Sequence, residues 1–133
     1  MLVVEVKAAK NGSAQWAAKF RRNLIAHGAA PDAPYFLLIL PEHAYLWKNA
    51  LATEDTLPSF VSDTKNLLAP YLSRYGEDYS GLSESSLELA VRSWLQDLAS
   101  PNWHAQASQD RLLAESGLAA QMRDSSISYG AVM

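Results

Sequence analysis

Apolar and polar positions fall into short blocks along the chain. The first, MLVVEVK, places Leu2, Val3, Val4 and Val6 around Glu5 and ends in Lys7. The block is short and rich in valine, which predicts a strand over residues 2–7. Asn11-Gly12 is a turn signal and Ser13 is a good N-cap. Trp16, Phe20 and Leu24 then recur at i, i+4 and i+8, predicting a helix from about Ala14 to His27 that stops at Gly28. After the loop AAPDAP, the run YFLLIL (residues 35–40), bounded by Pro34 and Pro41, predicts a second buried strand. HAYLWK (residues 43–48) predicts a third, and the short Pro41-Glu42 connection predicts a hairpin between them.

Strand, helix, strand is the order of a βαβ unit, so the first two strands are expected to be parallel, with the third added antiparallel. Beyond Lys48 the pattern becomes helical. ATEDTLPSF reads as a linker, followed by helical segments over about 58–74, 84–99 and 109–123. Pro70 is expected to kink or split the first of these. In the second, Leu87, Val91, Trp94, Leu95 and Leu98 form a helical stripe capped by Ser83, with Gly76 and Gly81 in the break before it. ASPNWHAQAS reads as a loop, and SISYG as a short terminal strand. No repeat or low-complexity tract appears. The expectation is one α/β domain over 1–133, with a small mixed sheet (a βαββ core over 1–48) and a helical part over 58–123.

The totals narrow the function classes. The 133 residues suffice for one domain with a real core. A net charge of −3 argues against a wholly basic nucleic-acid surface while leaving room for a local patch. With no cysteine there is no disulfide, thiolate metal site or cysteine nucleophile. His27, His43 and His104 lack the close spacing of a helical zinc motif. No apolar run approaches the roughly 18 residues of a membrane span, and no basic segment precedes the apolar start, so a cytoplasmic protein is expected.

The chemistry concentrates at Glu5 and Lys7. In a strand, alternate side chains share a face, so Val3, Glu5 and Lys7 lie together and the acid and amine are about 7 Å apart at the backbone. A carboxylate there can hold Mg²⁺, and a neighbouring lysine can orient water or stabilise charge developing on a phosphoryl group. The competing reading is a salt bridge on an exposed sheet edge, where charges guard against aggregation.

LVVEVK, a turn, QWAAKFRRNLIAHG and PYFLLILPEHAYLWK together resemble the PD-(D/E)XK nuclease-like superfamily, the restriction-endonuclease-like fold, over about residues 2–48. The resemblance implies a Mg²⁺-dependent DNA-cleaving site, with Glu5 as the acidic metal ligand and Lys7 as the catalytic lysine. Gln15, early in the following helix, matches a functional glutamine of some branches. The family's first metal-binding Asp, on the preceding strand, has no counterpart in the residues before Glu5. The expectation is therefore a truncated or weakly active member, or a non-catalytic interaction module of the same fold.

Lys19, Arg21 and Arg22 form a basic cluster on the first helix. Lys19 and Arg22, with Gln15, are the candidate phosphate contacts, against the alternative of a solvated helix face. Arg21 and Arg22 cannot point the same way. Tyr35, Phe36, Tyr45, Trp47 and Trp94 read as core rather than stacking platforms. His43 has no partner at motif spacing, and Asp63, Glu77, Asp78 and Glu84 read as solvated loops and helix ends. There is no phosphate-binding or nucleophile-elbow motif. The apolar first strand, lacking its family neighbours, is expected to leave an open edge. That edge pairs in a homodimer or is covered by the late SISYG segment.

Overall fold

The computed structural model describes residues 2–8, 12–28, 33–49, 56–72, 83–98 and 127–129. Its elements are β1 (Leu2–Val6), α1 (Ala14–Ala26), β2 (Tyr35–Ile39), β3 (His43–Lys48), β4 (Phe60–Asp63), α2 (Thr64–Leu72), α3 (Glu84–Leu98) and β5 (Ile127–Tyr129). The sheet runs β4-β3-β2-β1-β5. β1 is parallel to both β2 and β5, while β2–β3 and β3–β4 are antiparallel. The α/β class, the parallel first pair and the hairpin are as expected.

Period-two alternation sends residues to opposite faces of this sheet. Leu2 and Val4, with Tyr35, Leu37, Ile39, Ala44 and Leu46, pack with residues of α2 and α3. Val3, with Phe36, Leu38, Leu40, Tyr45 and Trp47, packs with Ala17, Ala18 and Leu24 of α1. The parallel strands are therefore covered on both faces, which explains their unbroken apolar runs.

α1 starts where Ser13 accepts the Trp16 N–H at 3.2 Å and ends before Gly28, whose φ of +73° suits glycine. Its buried face differs from the expected stripe. Ala17, Ala18, Arg21 and Leu24 are buried, whereas Trp16 is 37% exposed and stacks on Phe20 at 5.2 Å. The small Ala17 and Ala18 face the sheet, and the two rings lie to the flank. Just before α1, the Tyr45 hydroxyl donates to the Gly12 carbonyl at 2.7 Å. A Cβ at Gly12 would meet Leu40 Cδ1 at 2.5 Å, so a larger residue there requires the Leu40 side chain to shift.

Two expectations are corrected, and one alternative is decided. The helix expected from residue 58 begins at Thr64, and residues 60–63 form the edge strand β4. Pro70 does not split that helix, which continues to Leu72; near the C-terminal end a missing N–H removes only one intrahelical bond. β5 pairs with Leu2–Val4 and so covers that part of the expected open edge. Over that stretch the SISYG alternative is thus the observed one. α3 carries the expected stripe and Ser83 cap, with the Ser86 N–H donating to Ser83 Oγ at 3.1 Å. The expected helix over 109–123, Trp103, His104, Gly76, Gly81, Glu77 and Asp78 lie outside the described residues. No helix among those described is long and apolar enough to cross a membrane.

Candidate functional site

β1 delivers the Glu5–Lys7 pair from an interior position. Glu5 stands opposite Leu38 in register, and alternation from Val3 puts both charged residues on the α1 side of the sheet. Lys7 lies one residue past β1, but its N–H still donates to the Ile39 carbonyl at 3.0 Å, so the ladder fixes its backbone. Glu5 is 4% exposed, and its Oε1 accepts no hydrogen bond. Burial pushes the Glu5 carboxyl up from 4.5 to about 7; the Lys7 ammonium opposes this, and the charges of Glu84 and Glu88 add to it.

Such a carboxyl is poised near neutral pH. It can exchange a proton there, or it can ionise fully when a cation replaces the missing hydrogen bond. An edge salt bridge would leave both groups in water, whereas here the acid is buried.

The basic candidates divide. Gln15 and Lys19 are exposed and Arg22 is half-buried, at i, i+4 and i+7 along one flank of α1. None of them donates a hydrogen bond to Glu5 Oε1. Arg21 leaves the cluster altogether. It is 1% exposed, with its guanidinium carbon 5.7 Å from the Phe36 ring centroid and 5.4 Å from that of Trp47. That packing explains why a charged residue sits on the helix face that touches the sheet. Tyr35, Phe36, Tyr45, Trp47 and Trp94 are all buried, as expected of core residues. His43 is exposed at the start of β3.

Two residues near Glu5 went unrecognised in the sequence. Glu84, expected in solvent, lies in the first turn of α3, and its Oε1 accepts the Ala8 N–H at 3.1 Å. Glu88, one turn on, pairs with Arg92 at 3.2 Å. Their i, i+4 spacing puts them on one helix face, but only the docking of α3 decides that this face meets the end of β1. Among the described residues, no group of three or more His, Cys, Asp or Glu is arranged to hold a metal ion. No protein-family model matches the chain, and comparison with curated proteins and with solved structures yields no match.

Proposed function

We propose that the chain is a nuclease-like α/β domain of the restriction-endonuclease-like type, with a weakly active, Mg²⁺-dependent site for cleaving DNA phosphodiesters. The observation that carries this reading is Glu5: a buried carboxylate with an unpaired oxygen, beside Lys7, on an interior parallel strand. The unpaired Oε1 fits a hard cation, since Mg²⁺ is commonly held by one or two carboxylates with water filling its remaining positions. When bound, the ion supplies a water of lowered pKa and polarises the phosphoryl oxygens. Glu5 holds it in place. Lys7, on the same face, offers its ammonium to negative charge growing on the phosphoryl group. Gln15, Lys19 and Arg22 on α1 take the flanking backbone phosphates and fix the position of the strand to be cut.

Nicking of supercoiled plasmid tests this reading. Slow cleavage is expected in Mg²⁺ and faster cleavage in Mn²⁺. Both Glu5→Gln and Lys7→Ala should lower the rate by about 100-fold or more, as for loss of a group acting in the transition state. Cleavage that survives Lys7→Ala would reject the assignment. A wild-type chain inert under every metal condition would transfer it to the alternative, a non-catalytic interaction module of the same fold.

A further inference from the structure

Residues 1–28 hold five of the chain's 11 Lys and Arg but one of its 14 Asp and Glu, a net charge of +4. The remaining residues carry −7, so positive charge is concentrated on the segment that contains α1. α1 itself has no acidic residue. Arg21 is buried against the sheet, which leaves Lys19, exposed, and Arg22, half-buried, as its cations toward solvent. Trp16 stands three residues before Lys19, hence beside it on the helix surface, and is 37% exposed. It is not among the buried residues that seat the helix, which are Ala17, Ala18, Arg21 and Leu24. Phe20 stacks on it, with ring centroids 5.2 Å apart and planes at 14°. The first turn of α1 lies at the end of the sheet that carries Lys7. A Cβ built on Gly12 would meet Trp16 Cε3 at 3.1 Å as well as Leu40, and Leu40 follows Ile39, whose carbonyl accepts the Lys7 N–H.

We propose that α1 takes single-stranded DNA, with Trp16 stacking on an unpaired base and Lys19 holding a neighbouring phosphate. This rests on the reading of α1 as the phosphate-contacting helix, and it makes the strand offered to Glu5 and Lys7 an unpaired one. A groove that tracks single strands combines cations for the backbone with aromatic rings for the bases. α1 places the two side by side, at i and i+3. Phe20 takes one face of the indole and holds the ring in place, so the ordering cost of stacking a base on it is already partly met. In a duplex the base faces are stacked on one another, and an indole on the outside meets phosphate and sugar instead. An acidic protein segment would satisfy the cations but offers the indole no flat partner. Stacking is tolerant of sequence, because every base has a π-face, so little base preference is expected.

Fluorescence anisotropy with a labelled oligonucleotide of about 12 nucleotides, single-stranded or as a duplex, tests the assignment on the full chain. EDTA is present throughout, so binding is read without cleavage and without any ion at Glu5. The single strand should bind about tenfold or more tighter than the duplex. Trp16→Ala should weaken single-strand binding by about tenfold and leave duplex binding unchanged, while Trp16→Tyr, which keeps a ring, should restore most of the loss. Lys19→Gln should weaken both and lower the slope of affinity against salt by about one. In unmodified protein the Trp16 indole N–H resonance should shift on adding the single strand and stay in place on adding the duplex. A duplex bound as tightly as the single strand, or Trp16→Ala binding like the wild type, would overturn the stacking role. If Lys19→Gln then still weakens binding, α1 stands as a phosphate contact alone. A chain that binds neither oligonucleotide would overturn both.

Discussion

Glu5 couples the stability of the fold to pH. Its carboxyl titrates near 7 when folded, against 4.5 as its ordinary value, so the folded state binds the proton more tightly than the unfolded chain. The stabilisation from this protonated, buried acid is fully present below pH 4.5 and is lost as pH rises through about 7. The loss is of order 3 kcal/mol, by the free energy that corresponds to a shift of this size. Urea unfolding at several pH values should show wild-type stability falling across this window and Glu5→Gln falling much less. A difference between the two proteins that does not change with pH would contradict the buried-acid account. Part of this residue was legible in the sequence, because alternation assigns Glu5 and Lys7 to one face. Its burial was not, since that depends on how other elements pack over that face of the sheet.

Among the elements, those with local punctuation were the readable ones. Ser13, Gly28, Pro34, Pro41 and Ser83 mark ends that agree with α1, β2, β3 and α3 to within a residue or two. β4 carried no such marks. Its four residues follow Pro58 and run straight into a helix, so they read as that helix's first turn. What separates the two is a tertiary bond: the buried Thr64 hydroxyl, at the start of α2, donates to the Leu40 carbonyl at 2.6 Å. Thr64→Val keeps the shape but leaves that carbonyl without its hydroxyl partner. It should cost about 1–3 kcal/mol in thermal or urea unfolding. A change within about 0.5 kcal/mol would mean that the junction is held by packing alone. The α1 face shows another limit of pattern reading. Large rings at i and i+4 look like a core stripe, but Ala17 and Ala18 are the buried residues, and Arg21 lies over Phe36 and Trp47.

At the scale of the whole molecule, the sheet order gives Glu5 its chemistry. Because Glu5 faces the layer in which α1 packs on the sheet, its carboxylate loses water; because the first turn of α3 meets the end of β1, Glu84 and Glu88 add their charge to it. The strand, the turn and the first helix could be read in order from the sequence, so Glu5 and Lys7 were identifiable as a pair. The contribution of α3 could not, because no local pattern specifies which strand a helix N-terminus will meet. The central question is whether the buried Glu5 is a cation site. The most direct measurement is the Glu5 carboxyl titration, followed by ¹³C resonance with and without Mg²⁺. Without the ion it should titrate near 7, and saturating Mg²⁺ should carry its midpoint well below that, since the ion favours the charged form. A midpoint that Mg²⁺ leaves unmoved, or one already at 4.5 in the ion's absence, would contradict the account.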